Sequence, residues 1–128
     1  MTESIATSEF QSEHKKLCNK YPTFKKDFTT FEKALKAVLP DVLPGTMTMS
    51  GLGQEVTIPV YKVKKFRCQC LGKGAKSGIR VIYARSECNS RILFIEIYHK
   101  NKKPEADRKR IKRVLSGVED IMDLQVEE

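Results

Sequence analysis

A chain of 128 residues, 40% hydrophobic and 31% charged, suits one globular domain that buries roughly two-thirds of its unfolded surface in a single core. No apolar run approaches the roughly 20 residues of a membrane span, and Met1 to Phe10 lack the basic-then-apolar order of an export signal, so a cytoplasmic protein without membrane contact is expected. The net charge of +8 is segregated: residues 1–60 are neutral, 61–113 carry 17 Lys+Arg against 4 Asp+Glu, and 114–128 carry 5 acids and no base.

That distribution implies a polyanion-binding surface in the second half and an acidic tail able to shield it. Ahead of both, Ile5 and its neighbours suit a short edge strand. Ser8 and Gln11 have the spacing of a capping box, and Phe10, His14, Leu17 and Tyr21 then recur at helical period. His14 accordingly flanks a packed stripe. Pro22 breaks this helix and Thr23 can cap a second one. Phe24, Phe28, Phe31, Leu35 and Val38 line one face of that second helix, with Lys25, Lys26, Glu32, Lys33 and Lys36 outside it. Pro40 and Pro44 end it, which predicts a helical hairpin.

Residues 44–59, with Gly45, Gly51 and Gly53, predict a connection without helical period. A strand over residues 60–71 follows. Tyr61 and Val63 there oppose Lys62 and Lys64, but beyond Lys65 the apolar set becomes Phe66, Cys68 and Cys70. A strand cannot change face without an extra residue, so a β-bulge is predicted at Lys64 and Lys65. Residues 72–78 (GKGAKSG) place Lys73 and Lys76 in a hairpin loop. The G-x-x-x-x-G-K-[ST] order of a phosphate loop is absent.

Residues 79–85 and 91–99 are dense in Ile, Val, Tyr and Phe and are joined by a polar segment, which predicts a hairpin of central strands covered on both faces. Charges inside such strands are informative, because an unpaired buried charge costs several kcal/mol. Either Arg80 and Glu96 form a cross-strand ion pair, or Arg80 and His99 meet an anionic ligand in a wet cleft. Residues 104–115 predict a basic helix, with Pro104 in its first turn, Glu105 and Asp107 at its N-terminus, and Ile111, Val114 and Leu115 as its apolar stripe. Gly117 stops it. Residues 117–128 form the tail beyond a domain of residues 1–116.

The four cysteines are Cys18, Cys68, Cys70 and Cys88, and without an export signal they are not expected to form disulfides. His14, Cys18, Cys68 and Cys70 can be sketched as a zinc site, but their spacing fits no C-x-x-C knuckle. Small core residues are the simpler expectation, with no metal and no cofactor.

Four segments in this order carry a family likeness: NKYPTFKKDF (19–28), VYKVK (60–64), SGIRVIY (77–83) and IEIYHK (95–100). Together with the succession of strand, two helices, three antiparallel strands and basic helix, the chain resembles the RelE/ParE superfamily of toxins from bacterial and archaeal toxin–antitoxin systems, over about residues 10–115. The resemblance implies an α+β, RelE-like fold: an N-terminal helical hairpin packed on a small twisted, mainly antiparallel sheet, with a basic C-terminal helix. For the RelE-like branch it implies an mRNA interferase, a ribosome-dependent and metal-independent endoribonuclease that cuts messenger RNA by 2′-hydroxyl attack and so inhibits translation. The implied partners are a cognate antitoxin, the ribosome and its mRNA, and a homodimer is compatible with it.

Lys62 and Lys64 match the two lysines this family uses on its second strand, and Arg80 matches the arginine after the glycine on the third. His99 lies where relatives place a histidine or arginine just past the fourth strand, which makes it a candidate acid or base. Glu96 is a second candidate base. Lys65, Lys73, Lys76, Lys100, Lys102 and Lys103 complete the phosphate-binding set. The further catalytic Tyr or Arg that several relatives carry near the C-terminus has no tyrosine counterpart in residues 104–115; Tyr98 and Lys100 to Lys103, before that segment, are the available substitutes. The alternatives on the same fold are a ParE-like inhibitor of DNA gyrase and a non-catalytic RNA-binding relative.

Overall fold

The computed structural model describes residues 2–67, 77–86 and 91–121. Its elements run β1 (Glu3–Ala6), α1 (Ser8–Lys20), α2 (Phe24–Val38), β2 (Thr46–Thr48), β3 (Val60–Val63), β4 (Ile79–Arg85), β5 (Arg91–His99) and α3 (Arg108–Leu115). The protein is α+β, and its mixed sheet has the strand order β1-β5-β4-β3-β2. Only β1 runs parallel to its neighbour, β5; the other pairs are antiparallel. Among the described residues no helix is long and apolar enough to cross a membrane.

Apolar residues of both parities in β4 and β5 give the sheet two covered faces. On one, α1 and α2 press Phe10, Phe24, Phe28, Phe31 and Leu35 onto Tyr61, Val81, Tyr83 and Phe94. Phe28 is the hub, with ring centroids 5.2 Å from Phe94, 5.6 Å from Phe31 and 5.7 Å from Phe10. On the other face, Ile111 and Leu115 of α3, with Met49, Ile58 and Ile121, cover Val60, Ile82, Leu93 and Ile95. Hydrophobic spacing therefore built a sheet with a hairpin-helix side and an α3 side.

Several boundaries differ from the sequence expectation, each for a local reason. Thr7, not Ser8, caps α1: its hydroxyl accepts the Phe10 amide at 3.1 Å, while Gln11 reaches back to the Ala6 carbonyl at 3.0 Å. The glycine-rich connection contains the edge strand β2, which pairs Met47 with Lys62. β3 ends at Val63, and the face change occurs in the unpaired residues that follow, where fully buried Phe66 rejoins Val63 on the hairpin-helix side. No bulge is needed there.

The register irregularity lies instead on β5. Ile82 pairs with Glu96 and Tyr83 with Phe94, which leaves Ile95 as the extra residue. Ile95 and Glu96 consequently both turn toward α3. The freed Ile95 carbonyl accepts from the Thr7 hydroxyl at 3.3 Å and from Arg110 at 3.1 Å.

α3 begins after Pro104 and Glu105 because Asp107 caps it, accepting the Arg110 amide at 3.0 Å. That bond holds the Asp107 carboxyl below its usual range. Glu96 in turn accepts the Asp107 amide at 2.8 Å, so the bulge of β5 fixes the start of the helix.

Candidate nucleic-acid interface

Strand alternation decides which charges can meet. Lys62 pairs with Ile82, and Arg80 with Tyr98, so all four stand on the α3 side of the sheet. Arg80 donates to the Lys64 carbonyl at 2.8 Å, which ties the end of β3 to the start of β4. Lys62, half-buried, has its pKa lowered first by burial and then by the charges of Lys64, Arg80 and Arg108, with Glu105 acting in the opposite direction. Four cations thus share one neighbourhood. Among the described residues none of them forms a direct ion pair with a carboxylate.

Beside this cluster lies a cleft of about 160 Å³, with Met47, Thr48 and Met49 on one side and Glu105 and Arg108 on the other. Lys62 lines it as well, so cleft and cation cluster are continuous. Arg108 pins one rim by donating to the Ser50 carbonyl at 2.6 Å. Tyr98, cross-strand from Arg80, is 6% exposed, and among the described residues its hydroxyl has no hydrogen-bond partner. Burial, followed by the nearby Glu96 charge, pushes its pKa up to about 12, so the phenol is neutral throughout the physiological range.

No protein-family model matches this chain, and neither does any curated protein or solved structure.

The remaining candidate residues are dispersed. His99 pairs with Ile79, which places its side chain on the hairpin-helix side, away from the face of Arg80. Its ring rests against Gly78, where an added Cβ would stand 2.9 Å from Nε2, and Gly78 also has a φ of +83°. Both facts require a glycine before Ile79. The Asn101 amide donates to His99 Nδ1 at 3.1 Å, so the neutral ring carries its proton on Nε2.

Glu96 is fully buried and does not pair with Arg80. It binds the Lys103 ammonium and the Asp107 amide, so it serves the β5–α3 connection. Lys103 is therefore committed to Glu96, with its ammonium 5.7 Å from the Tyr98 ring centroid. Lys102 approaches Lys20 at the end of α1. Lys100 is exposed, and its amide donates to the Gly78 carbonyl at 2.9 Å. Lys65 lays its aliphatic stem over Gly45. Lys73, Lys76, Cys68, Cys70 and Cys88 lie outside the described residues.

For the sketched zinc site, Cys18 Sγ lies 3.7 Å from His14 Nε2, but no group of three ligands exists among the described residues. His14 packs between Phe10, Phe24 and Phe28, and burial lowers its pKa. The pair belongs to the core edge.

A second charged group was missed by sequence reasoning. Arg110, 9% exposed, forms a two-pronged pair with Glu13 of α1 at 2.8 and 3.0 Å and also reaches Glu9. Burial opposes its charge, but Glu13, Glu96 and Glu9 more than offset this and leave its pKa raised. Arg113 adds a pair to Glu9. Glu13 and Arg110 are 97 residues apart, so no local pattern announces the contact. Arg108 and Glu105 were legible only as members of a basic helix and its acidic start.

Proposed function

We propose that this chain is the toxin of a toxin–antitoxin pair, a RelE-like endoribonuclease that cuts messenger RNA on the ribosome and is held in check by a cognate antitoxin. The observation that supports it most is that Lys62 and Arg80 share one face of the sheet with Lys64 close by, at the positions where the family resemblance expects phosphate ligands. Surface lysines that serve only solubility have no reason to gather at a half-buried position beside further cations.

The chemistry follows from that crowding. A ribose 2′-hydroxyl attacks the adjacent phosphorus, and negative charge grows on the non-bridging oxygens. Arg80, Lys64 and Arg108 offset that charge where it develops. Lys62, whose ammonium form burial and its cationic neighbours disfavour, is the side chain assigned to accept the 2′-proton. The bond from phosphorus to the 5′-oxygen breaks, and that oxygen leaves with a proton from the exposed Lys64 ammonium. The products are a 2′,3′-cyclic phosphate and a 5′-hydroxyl.

One observation favours a second reading. His99 stands on the opposite face and Glu96 is buried in an ion pair, so both candidate acid–base groups of the sequence lie outside the cluster of phosphate ligands. A non-catalytic RNA binder would have this constitution.

Programmed ribosomes with mapped mRNA ends separate the two. Wild-type protein should give new ends bearing 5′-hydroxyls. Arg80→Ala and Lys62→Ala should each lower cutting by roughly 10²–10³-fold, while His99→Ala should keep most of it. Binding without ends selects the non-catalytic reading. Arrest of gyrase supercoiling with intact mRNA would replace both.

A further inference from the structure

Glu105 is an anomaly on this surface. It is an exposed carboxylate set between Lys62 and Arg108, where it repels the phosphates that the neighbouring cations attract. It does not cap α3, a task taken by Asp107. Among the described residues it makes neither a hydrogen bond nor a direct ion pair, so its four lone pairs are free. The cleft it lines is small beside the roughly 300–1,000 Å³ pockets that enclose drug-sized ligands, so it suits one planar ring system rather than a whole nucleotide.

The opposite wall supplies what a base needs for stacking. Met47 of β2 and Met49, one residue beyond that strand, both line the cleft next to Lys62. Thioethers pack well on aromatic rings, and single-stranded RNA is read by stacking plus hydrogen bonds to exposed base edges. Met47 is 45% exposed, one of the most exposed large apolar side chains of the described residues, at the place where a ring would cover it.

We infer that this cleft holds an unpaired guanine adjoining the phosphate at Lys62 and Arg80, with Glu105 as the residue that selects it. The inference rests on the RNA-binding reading above and names its base preference. A carboxylate offers two acceptors side by side. Guanine alone presents two adjacent donors on its Watson–Crick edge, the ring N1–H and the exocyclic amine. Adenine and cytosine each set one amine beside an acceptor nitrogen, and uracil sets one N–H between two carbonyls, so each turns an acceptor toward the carboxylate. The charge that repels the backbone thereby becomes a filter for one base.

The test uses the full chain and five-residue RNAs made of uridine with guanosine, inosine or adenosine at the centre, with binding followed by fluorescence anisotropy. Guanosine should bind roughly ten-fold tighter than adenosine, and inosine, which lacks the amine, should fall between them. Glu105→Gln removes the paired acceptors at an exposed position. It should bring the guanosine-to-adenosine ratio near one while leaving adenosine binding equal or slightly tighter.

Equal affinity for the three RNAs, or an undiminished preference in Glu105→Gln, overturns the inference. End mapping separates its fate from that of the nuclease. Cutting without guanine preference retains the nuclease and rejects the pocket, whereas guanine-selective binding without cutting does the reverse. Absence of any RNA binding rejects both.

Discussion

Two groups of charge lie on the α3 side of one sheet and follow opposite rules. Around β5 and α3, three cations each have an anion. Glu96 binds Lys103, and Arg110 and Arg113 of α3 bind Glu13 and Glu9 of α1, far away in sequence. Around β3 and the start of β4, Lys62, Lys64, Arg80 and Arg108 crowd together without a direct carboxylate partner among the described residues. The first arrangement closes the fold, since it ties α3 to α1 and to the bulge of β5. The second weakens the fold through repulsion, which an anion from outside would relieve. Residues that hold a protein together and residues that hold its ligand are distinguishable here by whether their charge is already balanced.

The contrast is broken most forcefully by removing a balanced partner. Arg110→Ala takes from Glu13 its two-pronged charge partner and from the Ile95 carbonyl one of its two donors, in a largely dry setting. It should cost about 3 kcal/mol, short of the full penalty for a buried pair because Glu13 retains some exposure. Thermal unfolding should move down by roughly 10 °C. RNA affinity of the folded protein should stay unchanged. Loss of affinity without loss of stability would put Arg110 in the wrong group.

Glu96→Gln makes the same point at smaller scale. Its side chain is fully buried, yet the amide oxygen can still accept from Asp107, and half-exposed Lys103 can rehydrate. About 1–2 kcal/mol should be lost on chemical denaturation. A catalytic role for Glu96 would instead abolish cutting at unchanged stability.

The division between fold and site also governs what the residues alone disclosed. Strand and helix existence rests on periodicity, and β4 and β5 were bounded by their apolar runs to the residue. The phenylalanine spacing of α2 likewise named its buried face. Placement of charges depended on register, which alternation fixes only if no residue is inserted. The extra residue Ile95 turned Glu96 to the α3 side, where the Asp107 amide and the Lys103 ammonium, rather than Arg80, occupy its carboxylate. His99 failed to join the cluster for the related reason that it stands opposite Ile79. Lys62 and Arg80 could be placed on one side from parity, whereas Arg108 and Glu105 join them only through the packing of α3.

Salt sharpens the same division. Each phosphate contact to single-stranded RNA adds about −0.7 to the slope of log affinity against log salt, so four cations give a slope of about −3. Arg108→Ala or Lys64→Ala should remove about 0.7 from it. Lys103→Ala should leave the slope unmoved, because that ammonium is engaged by Glu96. An equal loss for Lys103 would merge the two groups into one diffuse basic surface.

The smallest effect concerns the free protein. Burial and neighbouring cations lower the pKa of Lys62 in the fold relative to the unfolded chain. Between the two values the unfolded chain binds more protons, so folding stability rises with pH across that window. Lys62→Met removes the strained charge and keeps the stem, and below the window it should stabilise the protein by less than about 1 kcal/mol, since the side chain is only half-buried. The advantage should shrink as pH climbs toward the ordinary lysine range, where the wild-type amine is neutral as well. A variant that is less stable at neutral pH would mean that Lys62 is balanced after all, and the cluster would then need no outside anion. A gain in stability accompanied by lost RNA binding would show one side chain kept at a cost to the fold for the sake of its ligand.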